Sequence, residues 1–144
     1  MVRWRVVLDT NVLVAALRSR QGASAAVLRL AGTSAYEHVL SVALILEYEA
    51  VCKRLGTGLH VPHAVVDDIL DYLAGTARRQ PIHFLWRPVL PDPTDDHILD
   101  LAVAAGGASI ITHNRRHFVG AERFGIAVLT PGALLRRLPP EKSP

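Results

Sequence analysis

Short apolar runs alternate with longer stretches of helical spacing along most of the chain. Residues 3–8 (RWRVVL) alternate and then become apolar, which predicts a central strand that ends before Asp9. Residues 82–90 are predicted to form a short extended segment. Other apolar runs predict further strands at 36–40, 108–112 and 127–129.

Helical spacing fills the gaps between these strands. After Asn11 the stretch VLVAALRS predicts one helix, and Ser24 is placed to cap a second helix that stops near Gly32. A third helix is predicted over Ala43–Leu55, and a fourth from Pro62 to about Arg79. The expected buried stripe of the fourth helix is Val65, Ile69, Leu70 and Leu73. The segments HILDLAVAAGG and TPGALLRRL predict two more helices, the first of which ends at its glycine pair.

This alternation of strands and helices predicts an α/β fold, a three-layer α/β/α sandwich around a mostly parallel central sheet. The chain has 144 residues and contains no internal repeat, low-complexity tract or linker. We therefore expect a single domain over residues 1–138 and a loose C-terminal tail over residues 139–144.

Composition supports a packed globular protein. Hydrophobic residues make up 50% of the chain and charged residues 20%, and the mean hydropathy is +0.24. The single cysteine, Cys52, can form no internal disulfide, which fits a reducing compartment. No apolar run approaches the roughly 18 residues of a membrane span. We therefore expect a soluble, cytoplasmic protein without a membrane partner.

Polar and acidic residues gather where the predicted strands end. Asp9, Ser41 and Thr112–Asn114 each fall just past a strand. In an open parallel sheet, ligands bind at the carboxyl ends of the strands. Asp95 begins the helix that precedes the strand ending at Thr112, so it should lie near the same edge. Glu47 follows Ser41 by about a turn and a half of helix and can lean back over that edge.

Three carboxylates without a basic partner would repel one another strongly, and a hard divalent cation resolves that repulsion. Mg²⁺ and Mn²⁺ prefer carboxylate and water ligands, and such a site can activate water for phosphodiester hydrolysis. Other known types of site are not supported. One cysteine excludes a thiolate zinc site, the seven histidines form no HExxH pattern, and no GxxxxGK[ST] or GxGxxG loop occurs.

Each acid also has a simpler structural role open to it. Asp9 precedes a predicted helix and is a candidate N-cap, and Glu47 on a helix is a candidate for a solvated surface residue. Asp92, Asp95 and Asp96 surround a proline and a threonine, a composition typical of a turn that caps the next helix.

Four segments taken in order resemble the PIN-domain family: VVLDTNVLVAAL, SVALILEYEAVCKRL, DPTDDHILDLAVAAGGASIITHNRRHF and VLTPGALLRRL. The likeness spans Val6 to about Leu138 and is greatest to the VapC-like toxins of bacterial toxin–antitoxin systems. It implies a PIN-like sandwich with divalent-metal-dependent endoribonuclease activity. It further implies Mg²⁺ or Mn²⁺ as cofactor, RNA as substrate and a cognate antitoxin protein as partner.

The resemblance also implies roles for individual residues. Its catalytic, metal-binding acids fall on Asp9, Glu47 and Asp95, with Asp96 as the alternative metal ligand beside Asp95. Asn11 would orient the first aspartate or a metal-bound water, and Thr112 and Asn114 would close the site. Many family members carry aspartate where this chain has Asn114, and a neutral amide there favours one well-held metal.

Interaction surfaces are predicted from the remaining residues. Small and apolar residues of the helical pair 43–79 exceed what one core face needs, which predicts a homodimer or antitoxin groove: Ala43, Ala50, Val65 and Ile69. His113 and His117 are expected to be solvated neighbours of the loop after Thr112. Several arginines can border the acid site and bind phosphates, or form solvated faces: Arg18, Arg20, Arg29, Arg78, Arg79, Arg115, Arg116, Arg136 and Arg137.

Three alternatives to a toxin remain. A PIN-type nuclease of RNA processing would have the same acids, and a catalytically weak PIN domain would bind RNA without cutting it. A phosphoryl-transfer domain of the receiver or haloacid-dehalogenase type also begins with a strand-end aspartate. That third class needs a DxDx[TV] element or a lysine after a later strand, and DTNVL and THNRR supply neither.

Overall fold

The structure, a computed structural model, describes residues 4–54, 58–82 and 89–139. Its sheet has five strands: β1 (Trp4–Leu8), β2 (Tyr36–Leu40), β3 (Arg78–Arg79), β4 (Ser109–Ile111) and β5 (Val128–Leu129). The strand order is β3-β2-β1-β4-β5, and each of these neighbouring pairs is parallel. The predicted parallel sheet is therefore confirmed.

Helices cover both faces of this sheet and complete the predicted three-layer α/β/α sandwich. They are α1 (Thr10–Arg18), α2 (Ala23–Leu30), α3 (Val42–Lys53), α4 (His63–Thr76), α5 (Asp96–Ala104) and α6 (Pro131–Arg137). Short 3-10 helices occupy Pro93–Asp95, Arg115–Phe118 and Ala121–Phe124. In the part of the chain that the structure describes, no helix is both long and apolar enough to cross a membrane.

The two central strands explain the wholly apolar runs of the sequence. Val6, Val7 and Leu8 of β1 are buried, as are Ile110 and Ile111 of β4. A strand that is covered on both faces needs apolar side chains on both, so its sequence loses the alternation of a half-exposed strand. β1 and β4 thus form the middle of the core.

The order of the strands places a crevice at the carboxyl ends of β1 and β4. From β1 the chain moves outward to β2 and β3, and it then returns to the other side of β1 to add β4 and β5. Parallel sheets bind ligands at such a reversal. Asp9 directly follows β1 and Thr112 directly follows β4, and the Asp9 amide donates to the Ile111 carbonyl at 2.8 Å.

The fourth predicted helix is wrong at its end and in half of its buried face, since Leu70 and Leu73 are buried as predicted. α4 stops at Thr76, and Arg78–Arg79 continues as an edge strand beside Val39 and Leu40. The residues that face inward are Val66, Leu70 and Leu73, whereas Val65 is 42% exposed and Ile69 only half-buried. The actual stripe follows the i, i+4, i+7 spacing of a helix that packs with one face.

The predicted cap of the second helix is wrong. α2 begins after Gly22, so Ser24 lies inside the helix and is buried instead of capping it. The loop after β4 contains two 3-10 helices, for which the sequence analysis made no prediction. The extended segment predicted at 82–90 falls mostly on residues 83–88, and most of the predicted tail on residues 140–144, which lie outside the described residues.

A buried tyrosine joins α3 to the end of β1. The Tyr48 hydroxyl donates to the Leu8 carbonyl at 2.5 Å, and the side chain is almost fully buried. Leu8 is the last residue of β1, directly before Asp9, and Tyr48 directly follows Glu47. This hydrogen bond therefore sets the distance between the two elements that carry these acids.

We predict that Tyr48→Phe lowers the free energy of unfolding by about 1–3 kcal/mol, because it leaves a buried carbonyl without its donor. Urea denaturation, monitored by circular dichroism, measures this change in the free energy of unfolding. Tyr72→Phe is the matched control, since Tyr72 also donates to a carbonyl, that of Ala31 at 2.8 Å, but is exposed. An equal or larger loss in the control variant would contradict the role given to Tyr48.

Candidate active site

An open cavity of about 540 Å³ lies at the crevice between the ends of β1 and β4. Three of the predicted acids, Asp9, Glu47 and Asp95, line it together. The other lining residues come from α1, α3 and the loop after β4: Thr10, Asn11, Val14, Ala15, Arg18, Val51, His113 and His117. The structure thus brings together acids that are far apart in the sequence.

Asp9 is the most enclosed of these acids, with 7% of its surface exposed. Burial raises the pKa of Asp9 from its ordinary value of 3.8 to about 6, and the negative charge of Asp95 acts in the same direction. A hydrogen bond of 2.7 Å from the Thr112 hydroxyl to Asp9 Oδ2 opposes this rise. Asp9 occupies the N-cap position of α1, but its side chain makes no capping hydrogen bond.

Asn11 and Asn114 support Asp9 through Thr112. The Asn11 amide donates to the Thr112 hydroxyl oxygen at 3.2 Å, and the backbone N–H of Asn114 donates to the same oxygen at 3.0 Å. Asn11 also accepts from the backbone N–H of His113 at 3.2 Å. Thr112 is fully buried behind Asp9, so these contacts hold the hydroxyl that orients the carboxylate.

Glu47 has two partners that the sequence analysis missed. One carboxylate oxygen accepts a hydrogen bond from the Thr10 hydroxyl, and the other lies 3.2 Å from His97 Nε2. The hydrogen bond with His97 lowers the pKa of Glu47 and raises the pKa of His97. The expectation of carboxylates without a basic partner is therefore wrong, and Glu47 is a half-buried, paired acid.

The three aspartates of the segment DPTDD take three different roles. Asp92 is the turn residue, because its carboxylate accepts from the Thr94 N–H at 3.0 Å. Asp95 lines the cavity, and burial followed by the charge of Asp92 raises its pKa. Asp96 is buried and accepts from the backbone N–H groups of Val89 at 3.3 Å and Leu90 at 3.0 Å. A metal ligand at Asp96 is therefore not supported.

Ser41 does not join the acid site, contrary to expectation. Its hydroxyl accepts from the Leu44 N–H at 3.1 Å and caps α3. It lines a separate groove of about 710 Å³, together with Val42, Arg79 and others. The reason is topological, because Ser41 follows β2, which lies on the far side of β1 from the crevice.

Histidines and an arginine form the basic part of the rim. His113 and His117 are exposed, as expected, but both line the cavity. His113 hydrogen-bonds to the Ser24 hydroxyl, and His117 Nε2 lies 2.9 Å from the Asn114 amide. Arg18 also lines the cavity. Two imidazoles and one guanidinium group therefore line the same cavity as the acids.

The side chains at the cavity suit a hydrated divalent cation. Three carboxylates line the cavity, and burial raises the pKa of Asp9, to which the negative charges of Asp95 and Glu47 add; a cation would offset the cost of ionising it. Within residues 4–54, 58–82 and 89–139, no three histidine, cysteine or acidic side chains stand close enough to form a complete site as placed. Mg²⁺ usually keeps several waters and needs only one or two carboxylates.

Comparison with known proteins agrees with this geometry. Residues 5–116 match the family model described as PIN domain. The chain belongs to the PIN-domain family. PIN domains are generally nucleases and typically use divalent metals. No curated protein matches this PIN domain by sequence.

A solved structure with the same fold is the crystal structure of VapBC2 from Rickettsia felis bound to a DNA fragment from their promoter. The TM-score is 0.56 at 15% sequence identity, and the match covers 88% of this chain and 98% of that chain. At this identity the likeness establishes the shared fold.

We predict that Asp9→Asn stabilises the metal-free protein at pH 7.5 by up to about 3 kcal/mol. At pH values between 3.8, the pKa of Asp9 in the unfolded chain, and about 6, its pKa in the folded protein, folded Asp9 keeps a proton that unfolded Asp9 has lost. Wild-type stability therefore falls as the pH rises through that window, and asparagine avoids the penalty. Urea unfolding in EDTA at pH 4 and at pH 7.5 should show the difference only at the higher pH.

The same experiment tests the simpler role of Asp9. Asparagine can still accept the Thr112 hydrogen bond, so the fold should persist in the variant. A variant that unfolds far more easily than wild type in EDTA at pH 7.5 would show that Asp9 is a structural residue.

Proposed function

We propose that this PIN domain is a divalent-metal-dependent endoribonuclease that acts as the toxin of a toxin–antitoxin pair. The observation that carries the proposal is the convergence of Asp9, Glu47 and Asp95 on one open cavity at the strand reversal. A nuclease needs a concentrated negative charge for its cation and an open face for its polymer substrate, and this cavity offers both. The acids also argue against a domain that only binds RNA.

Hydrolysis of a phosphodiester bond requires the chain to hold a cation and to orient the acids around it. A bound divalent cation supplies positive charge to the phosphoryl oxygens and activates water. Asp9 and Asp95 would hold that cation, and the Thr112 hydroxyl keeps the Asp9 carboxylate oriented. Glu47 remains ionised because the hydrogen bond from His97 lowers its pKa, so it can contact the cation or accept a proton from a water.

The rim supplies the contacts for a nucleic-acid backbone. Arg18, His113 and His117 stand at the opening, within reach of phosphates that flank the reacting one. Arg115 and Arg116 lie on the same loop and are exposed. These groups support a polyanionic substrate, and RNA is the polyanion that we propose.

The fold shared with a chain of VapBC2 supports a cognate antitoxin as partner. Exposed apolar residues on α3 supply a surface for a protein partner: Val42 is 75% exposed and Leu46 58% exposed. Ala43 and Ala50 are exposed on the same helix. We propose that this helix and α4 form the interface of a homodimer beside the antitoxin groove.

We predict that the purified protein hydrolyses single-stranded RNA with Mg²⁺ or Mn²⁺ and stops when EDTA is added. Asp9→Asn should reduce the rate at least 100-fold, since electrostatic groups at a reacting centre typically contribute that much. Gel analysis of a labelled RNA measures cleavage, and expression of each variant measures growth inhibition. Undiminished cleavage in excess chelator would rule out the metal mechanism, and full activity of Asp9→Asn would rule out the site.

We predict that Leu46→Lys converts a homodimer into a monomer, because a charge cannot be buried at an apolar interface without a partner. Size-exclusion chromatography with light scattering measures the mass. Val119→Lys is the matched control, since Val119 is 60% exposed but lies on the loop after β4. Wild type that is monomeric both alone and with its antitoxin would contradict the proposed interface.

A further inference from the structure

Two side chains hold the Glu47 carboxylate from opposite helices. The Thr10 hydroxyl, at the start of α1, donates to Oε2, and His97 Nε2, at the start of α5, lies 3.2 Å from Oε1. Thr10 is buried and His97 is half-buried, so water competes weakly for either hydrogen bond. We call Thr10 and His97 the Glu47 clamp.

Among the described residues, the ring of His97 hydrogen-bonds to Glu47 alone. Its second nitrogen, Nδ1, is buried and makes no hydrogen bond with any residue that the structure describes. A histidine with one buried, unpaired nitrogen carries a cost. Its one hydrogen bond goes to an acid of the cavity, and His97 stands two residues after Asp95. The chain at the start of α5 therefore carries one acid of the cavity, Asp95, and hydrogen-bonds to another, Glu47.

We propose that Thr10 and His97 are positioning residues that fix the Glu47 carboxylate for contact with a divalent cation or one of its waters. The inference rests on the proposed metal-dependent function. Each oxygen of a carboxylate has two lone pairs, so the clamp leaves one on each oxygen directed elsewhere. Groups that orient a metal ligand in this way typically change metal affinity by about 10–100-fold.

A matched pair of variants at His97 tests the clamp. In His97→Gln the amide nitrogen lies as many bonds from Cα as Nε2 of histidine, so it can still donate to Glu47. In His97→Asn the amide reaches only the position of Nδ1. We expect the Kd for Mn²⁺, measured by calorimetry on metal-stripped protein, to rise about tenfold in H97N and to change less than about threefold in H97Q.

A double variant distinguishes an effect of His97 on the position of Glu47 from a general disturbance of the fold. If His97 acts through Glu47, H97N should cause no further loss of Mn²⁺ affinity in a protein that already carries Glu47→Gln. His63→Asn is the control for loss of an imidazole, because His63 is exposed on α4 away from the cavity lining. Its Kd for Mn²⁺ should equal that of wild type.

The outcomes are distinct. Equal or tighter Mn²⁺ binding by H97N, the same loss in H97Q, or the same loss in the Glu47→Gln background would overturn the proposal. If the His97 variants do not fold, Thr10→Ser and Thr10→Val give the same comparison on the other side of the clamp, with only Val losing affinity. Wild type that binds no Mn²⁺ would remove the proposed function itself, together with this inference.

Discussion

A carboxyl group buried at the junction of two strands is the constraint around which the acid site is arranged. Ionised Asp9 is costly where 7% of its surface is exposed, and Asp95 and Glu47 add like charge to that cost. Thr112 offsets part of it with one hydrogen bond. A cation at the cavity would remove much of the remainder, so binding of a metal there would also stabilise the fold.

The sequence predicted strands best where both faces are buried. The last three residues of β1 and the last two of β4 are apolar and buried because helices cover both sides, and that pattern is visible without a structure. β3 was not predictable, because Arg78 and Arg79 have no apolar pattern. They form a strand only because Val39 and Leu40 present an open edge beside them, which is a contact between distant parts of the chain.

The site was predictable to the extent that it follows from strand ends. Asp9 obeys the rule, but Ser41 shows its limit. The carboxyl ends of parallel strands share an edge, yet Ser41 follows β2, on the other side of β1 from the crevice, and caps α3. Thr10 and His97 were missed because their contacts with Glu47 join residues 37 and 50 positions apart. Local spacing contains no signal for such pairs. A histidine directly after two aspartates was nevertheless a reason to expect a contact between that histidine and an acid of the site.

Helix geometry explains why neighbouring aspartates serve different purposes. Successive residues at the start of a helix point roughly 100° apart, so two adjacent carboxylates point in different directions. Asp95 faces the acids, and Asp96 therefore turns toward the backbone of Val89 and Leu90. That contact fixes the loop before α5, and the loop in turn carries Asp95. The second aspartate thus supports the position of the first without lining the cavity.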